Sequence, residues 1–138
     1  MQTDCILTGD CFERLEDIED NSIHAVVTDP PYGLAFMGRS WDDFEPKEYQ
    51  EWCEQWATEV KRVLKPGGVA IMSFSNRCFP TKAISVWTST GDMDHIWIVG
   101  SYFHFAGGFG PPQAEDITQQ TMPWQLTDPM YVVYANKK

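Results

Sequence analysis

The chain has 138 residues, of which 43% are hydrophobic and 14% aromatic, with six tryptophans, so it can bury one domain's core and is neither disordered nor repetitive. The net charge of −10 is uneven: residues 1–60 carry 15 acids against Arg14, Arg39 and Lys47, whereas residues 61–138 carry five acids against seven bases. That imbalance keeps the chain soluble, as a salty cytoplasm would demand, and directs a phosphate-bearing partner to the second half or to another subunit.

Residues 5–7 form a short apolar run closed by Thr8-Gly9-Asp10, which predicts a strand and a tight turn. From Cys11, the apolar Phe12, Leu15 and Ile18 alternate with charged residues at helical spacing until Asp20-Asn21-Ser22. Residues 23–27 are then a second strand, apolar on both faces apart from His24, as a parallel strand covered by helices would be. An aromatic stretch, LAFMGRSWDDFEP, reads as a loop. Pro46 suits a first helical turn, and Tyr49, Trp52, Cys53, Trp56, Val60 and Val63 recur at three- and four-residue steps. Lys65-Pro66-Gly67-Gly68 stops that helix, and residues 69–74 form a third strand.

Further helices are predicted over 80–88 and over 94–106, the latter with Asp94 as N-cap and its aromatic set, Trp97, Tyr102, Phe103 and Phe105, in the core. Gly107-Gly108-Phe109-Gly110 reads as a helix stop, and Arg77 and Lys82 read as solvated charges. Residues 114–117 and 130–134 look like two last strands. The sum is an α/β sandwich with a mostly parallel sheet and a C-terminal antiparallel strand pair. Cys5, Cys11, Cys53 and Cys78 stand singly, without CxxC pairs or a nearby His, which predicts reduced, mostly buried thiols and no metal. The N-terminus lacks a signal peptide's features and nothing reaches membrane-spanning length, so a cytoplasmic location is expected.

Ligands of open parallel sheets sit beyond the carboxyl ends of the strands, which is where Asp29-Pro30-Pro31-Tyr32 falls. These residue types suit one reaction. An exocyclic amine of a nucleobase is a poor nucleophile because its lone pair is delocalised, and two acceptors on its hydrogens favour a pyramidal nitrogen. Asp29 supplies a carboxylate, Pro30 a carbonyl held in one direction by the fixed φ angles of Pro30 and Pro31, and Tyr32 a flat face for a base out of its helix. A bland alternative is a polyproline turn whose aspartate caps a neighbour.

The run GDCFERLEDIEDNSIHAVVTDPPYGLAFMG, continuing through EWCEQWATEVKRVLKPGG, resembles the S-adenosylmethionine-dependent DNA amino-methyltransferases in which the DPPY motif precedes the cofactor motif. The resemblance covers about residues 4–75. It implies a Rossmann-like class I fold, S-adenosyl-L-methionine as cofactor and DNA as partner. It also implies base-holding roles for Asp29, Pro30, Pro31 and Tyr32, and a cofactor side made by Asp10, Cys11 and Asp29. An aspartate at the head of the motif leans towards adenine N6 over cytosine N4. The family's later FxGxG turn, which wraps the methionine part of the cofactor, has no counterpart here; Gly107-Gly108-Phe109-Gly110 stands in the wrong context.

Beyond Phe74, SNRCFPTKAISVW, HIWIVGSYFHFAGGF and DPMYVVYANK resemble the carboxyl end of small-substrate, type-11 methyltransferases. The expectation is therefore one truncated methyltransferase-like domain over 1–138, DNA-methylase-like over 1–75 and type-11-like over 76–138. Such a join, near RVLKPGGVAIMSF, is that of a recombined or truncated gene product. In the family's strand order 3-2-1-4-5-7-6, strands 3 to 7 are assignable and strands 1 and 2 are missing, so the run at 5–7 would pair directly beside 23–27. Three functions follow: a DNA adenine methyltransferase, active by itself or complemented by a chain carrying the FxGxG motif, a non-catalytic fragment or binding module, and a small-substrate methyltransferase.

Overall fold

A computed structural model describes residues 4–29, 46–76, 85–119 and 127–138; for Pro46, Tyr49, Gln50, Ser85 and Val86 it describes the backbone alone. In chain order the elements are α1 (Cys11–Glu16), β1 (Ile23–Thr28), α2 (Pro46–Val63), β2 (Leu64–Phe74), α3 (Ser85–Thr88), α4 (Asp92–Ala106), β3 (Gln113–Asp116) and β4 (Tyr131–Asn136). The sheet order is β1-β2-β4-β3. β1 and β2 are parallel, and β4 runs antiparallel to both of its neighbours, so three of the four strands share one direction. The described sheet is thus mixed, with one parallel ladder and two antiparallel ones: the expected C-terminal antiparallel pair is present as β3 and β4, while parallel pairing is confined to β1 and β2.

Local chemistry sets the junctions. The Asp10 carboxylate accepts the Phe12 N–H at 2.9 Å and so caps α1, satisfying a donor that the helix cannot pair internally. At the other end of α1, the Arg62 guanidinium donates to the carbonyls of Leu15 (2.8 Å) and Ile18 (3.0 Å) and pairs with Glu59 and Asp20. Asn21, at φ 54°, turns the chain, and the N–H groups of Asn21 and Ser22 donate to the carbonyls of Arg62 and Val63. These bonds lay the start of β1 beside the start of β2. β2 begins directly after α2, and its register with β1 slips between Ile23, opposite Leu64, and Ala25, opposite Val69. The Lys65-Pro66-Gly67-Gly68 stretch is therefore a bulge inside the strand as well as a helix stop, a place where a sheet tolerates proline.

The core lies on one face of the sheet. Ala70, Met72 and Phe74 of β2 and Val133 and Ala135 of β4 pack with Trp56 and Val60 of α2, Val99 and Phe103 of α4, and Phe109. Val63 and Leu64 are completely buried at the helix-to-strand junction. On the opposite face Val69 and Ile71 are less uniformly covered, Ile71 being half-buried, and Val27 is exposed. Thus β1 is not apolar-and-covered on both faces as predicted; among the described residues the helices α2 and α4 cover one face only.

Four further expectations are corrected. Residues 5–7 are no strand: Ile6 is 91% exposed, because three apolar residues without a ladder partner or a face to bury do not hold an extended pairing. The edge of β1 away from β2 is accordingly not paired with them. Asp94 is not the N-cap of α4 but its third residue, its carboxylate reaching back to the Gly91 N–H at 3.2 Å. Of the four aromatics assigned to the core, Phe103 is buried while Trp97 (74%), Phe105 (83%) and Tyr102 are exposed, since one sheet face covers one side of a helix that is apolar all round. Cys5 and Cys11 are exposed and Cys53 half-buried, so the described thiols are not mostly buried. Cys78, Arg77, Lys82 and the first part of the 80–88 helix lie outside the described residues. No described helix is long and apolar enough to cross a membrane, and no described cluster of His, Cys, Asp and Glu could hold a metal ion.

Candidate functional site

β1 is built to deliver Asp29 to the rim of the sheet. Its β-branched and small residues pair in register with β2 up to Thr28 opposite Met72, and the next residue, Asp29, leaves the sheet exposed at the carboxyl ends of the parallel strands. Pro30, Pro31 and Tyr32 lie outside the described residues.

Asp10 and Cys11 are oriented by α1. Phe12 meets Trp52 edge-on at a centroid distance of 5.8 Å, while Arg62, further along α2, holds the carbonyls of Leu15 and Ile18. Hence α1 and α2 run in the same direction, and both point their N-termini towards the edge at which β1 and β2 end. The Asp10 carboxylate is held by the Phe12 N–H. Cys11 is exposed as a residue, but partial burial of its thiol and then the adjacent Asp10 charge hold that thiol above the ordinary cysteine range. It is thus no activated nucleophile.

The same edge carries a cluster that sequence reasoning missed. Phe74, the last residue of β2, lies opposite Tyr131, the first of β4, and against the Trp87 ring. Tyr131 Oη donates to Asp92 Oδ2 at 2.7 Å, and this bond pushes the phenol up to about 12. His95, buried, stacks on Trp87 at 3.7 Å and donates from Nε2 to the Trp87 carbonyl at 2.9 Å; its Nδ1 is buried without a partner among the described residues. The one available signal was topological, an acid at a helix start and a tyrosine at a strand start meeting at one edge.

An open groove of about 540 Å³ lies elsewhere, between α1 and α2, lined by Phe12, Glu16, Glu54, Gln55, Thr58 and Glu59. Its three glutamates repel phosphates, so the acidic helix side is a poor surface for nucleic acid.

Several known proteins resemble this chain in sequence and fold. The profile of the N6/N4 methyltransferase family, described as DNA methylase, matches residues 23–118. The type II methyltransferase M.HindIII of Haemophilus influenzae is 28% identical over 123 residues, which take in 64% of this chain and 40% of the relative. M.HinfI, a type II methyltransferase of the same species, is 38% identical over 88 residues, 51% of this chain and 24% of the relative. Among solved structures, TTHA0409 of Thermus thermophilus superposes with a TM-score of 0.57 at 22% identity, covering 94% of this chain and 52% of that one. The chain therefore spans less than half the length of these two relatives and about half of the solved structure.

Proposed function

This chain belongs to the DNA methylase family of S-adenosylmethionine-dependent amino-methyltransferases, and from that membership we propose that its carboxyl edge holds a DNA base whose exocyclic amine is methylated, adenine N6 in preference to cytosine N4. The observation that carries the reading is the position of Asp29: an exposed carboxylate on the first residue beyond a parallel strand, at the edge where such sheets bind ligands. Asp29 accepts a hydrogen of the amine, the Pro30 carbonyl accepts the other, Pro31 stiffens that carbonyl, and Tyr32 stacks on the flipped base. Hydrogen bonds from both amine hydrogens to these acceptors aim the nitrogen lone pair outward, and the methylated nitrogen then gives up one of the two as a proton, on the side of the Asp29 carboxylate.

S-adenosyl-L-methionine supplies an activated methyl group on a positive sulfonium. An edge carrying Asp10 and Asp29 suits that charge, and Asp10 with the Cys11 backbone would face the adenine. These residues fit part of the cofactor; the glycine turn for its methionine end belongs, in this reading, to a complementing chain bearing an FxGxG motif. Such a reaction belongs in the cytoplasm, where DNA is accessible. The acidity of residues 1–60 favours a second reading, a non-catalytic binding module that keeps the fold.

Calorimetric titration with S-adenosylmethionine separates the two. Binding is expected, alone or with the complementing chain; no heat at millimolar cofactor in either case leaves the binding module. Where methyl transfer to DNA is measured, Asp29→Ala is expected to lower it by about 100-fold or more with circular dichroism unchanged. Retained transfer would remove Asp29 from the mechanism.

A further inference from the structure

The described lysines and arginines divide into two groups. Arg14, Lys47 and Arg62 pair with carboxylates, whereas Lys61, Lys65, Lys137 and Lys138 form no ion pair among the described residues. The fold gathers these four at one place. Lys65, at the start of β2, donates to the His24 ring of β1 at 2.9 Å. Because β4 runs antiparallel to β2, its end lies beside that start: the Gly67 N–H donates to the Lys137 carbonyl and the Lys137 N–H to the Gly68 carbonyl, each at 2.8 Å. The Lys137 ammonium donates to the Leu64 carbonyl at 2.7 Å and to Asn21 Oδ1 at 2.8 Å. The Lys138 N–H reaches the Gly108 carbonyl at 2.9 Å, and the Lys61 side chain lies against the same Gly108, 3.0–3.8 Å from where a Cβ would stand. Asp20 and Glu59, the acids nearest along the chain, are held by Arg62, and the exposed Glu19 offsets one lysine at most.

The opposite rim carries Asp10, Asp29, Asp92 and Asp94, so the molecule is electrically polarised along its strands. Lys61, in the last turn of α2, offsets that helix's dipole, but Lys65, Lys137 and Lys138 lie outside the helices and have no such task. We propose that this amino rim of the sheet is a second site, one that holds the phosphate backbone of nucleic acid. The lysines span β1, β2 and β4, about 10 Å at the usual strand spacing, which is the axial length of about three phosphates of one strand. Gly67 and Gly107 border them with open space where side chains would stand, so a ligand backbone can approach closely. The KPGG and GGFG turns, which the base-holding edge does not use, thereby both face this ligand. Ammonium groups hold phosphates as point charges and read no base edge, so the contact is independent of sequence. Residues 69–74 of β2 separate the two rims by about 17 Å, and the strand held here is therefore a neighbouring segment of DNA, not the stretch that yields the base. A contact of this kind supplies the affinity that the acidic remainder of the surface denies.

Fluorescence anisotropy of a labelled oligo(dT) of about 30 nucleotides tests this rim by itself, because thymine has no exocyclic amine for the carboxyl edge to hold. The full chain is expected to bind with a Kd of about 100 μM in about 50 mM salt and to weaken about 20- to 50-fold by about 200 mM, at roughly 0.7 of a log–log slope unit per lysine–phosphate contact. Substituting Lys61→Gln, Lys65→Gln and Lys138→Gln together leaves the Lys137 bonds in place; it is expected to flatten the slope by about 2 and to weaken binding at low salt about tenfold or more. Lys65→Gln alone should flatten it by about 0.7, and the three lysines replaced by arginine should retain binding, with circular dichroism unchanged throughout. Asp29→Ala is expected to bind oligo(dT) as the native chain does, so failure of methyl transfer bears on the carboxyl edge alone. Absence of binding at about 50 mM salt with about 1 mM protein overturns the proposal. So does a slope indifferent to the glutamine substitutions, and so does equal loss in the arginine variant. Polyglutamate that displaces the label as well as unlabelled oligo(dT) would assign the rim to an acidic protein and overturn it too.

Discussion

Gly68 shows how one residue's missing side chain decides where a strand lies. A Cβ added there would sit 2.9 Å from the Lys65 carbonyl oxygen, 3.1 Å from that of His24 and 3.2 Å from that of Ile23, all of them backbone atoms that cannot swing away. Gly67, its neighbour, has φ +78° and open space around it, so an added Cβ there meets only the conformational penalty. Gly68→Ala is therefore expected to cost about 1–3 kcal/mol and to lower the midpoint of thermal unfolding by several degrees. Gly67→Ala should cost less, about 1 kcal/mol. Equal losses in the two melting curves would refute the close-approach argument. The glycine pair was legible as a helix stop because its mechanism is local. That Gly68 also lets β1 and β2 approach was not, because the crowding atoms of Ile23 and His24 are more than 40 positions away in sequence.

Elements whose signal is a long periodic pattern were read correctly from the residues. α2 runs over Pro46–Val63, as the spacing of Trp52, Cys53, Trp56, Val60 and Val63 and the proline at its start require. The short run at 5–7 had apolar character alone, and without a neighbour it stays unpaired. Joins between elements depend on bonds that pattern does not reveal, and the Tyr131–Asp92 bond tying β4 to α4 is one. The folded-state phenol is raised from 10 to about 12, so its contribution to stability is fully present below pH 10 and is lost as pH rises through about 12. Tyr131→Phe is expected to cost at most about 1 kcal/mol at pH 7, because water screens the pair. The difference between native and variant should then shrink towards pH 12. Urea unfolding of both proteins at about pH 7, 10 and 11.5 measures it, and a difference that does not change across that range would contradict the assignment. Desolvation of the half-covered Tyr102 also raises its phenol, and the bond to Glu115 raises that of Tyr134, which is why the comparison is made between variants and not on the native curve alone.

At the scale of the molecule, the sheet is uneven. β2 has a strand on each side and its Ala70, Met72 and Phe74 in the core, and β4 likewise lies inside the sheet with Val133 and Ala135 buried. β1 and β3 are the edges of the described sheet, and every residue of β3 is exposed. Hydrogen exchange is expected to find the amides of β2 and β4 between residues 69 and 74 and residues 131 and 136 the slowest, with β3 and the outward-pointing amides of β1 exchanging early. Equal protection of β1 on both of its edges would mean that a further strand covers it. The order β1-β2-β4-β3 matches strands 4, 5, 7 and 6 of the order implied by the DNA methylase resemblance, and β1 is the strand that directly precedes Asp29, the first residue of DPPY in the sequence.

The residues alone determined the α/β class, the strand before Asp29, the helix over Pro46–Val63, the glycine stops and the family, because each is written in a short run of neighbouring positions whose chemistry acts locally. Tertiary structure decided which apolar surface is buried. Trp97 and Phe105 are as hydrophobic as Phe103, and the sequence cannot tell them apart, since a sheet face covers only one side of a helix and its placement is set by pairings between distant strands. The same holds at the carboxyl edge, where parallel pairing and the direction of α1 aim the ends of both segments at one rim, and the antiparallel return of β4 adds Tyr131, Asp92 and His95 to it. Backbone hydrogen bonds between segments far apart in the chain carry that information, and no single segment contains it.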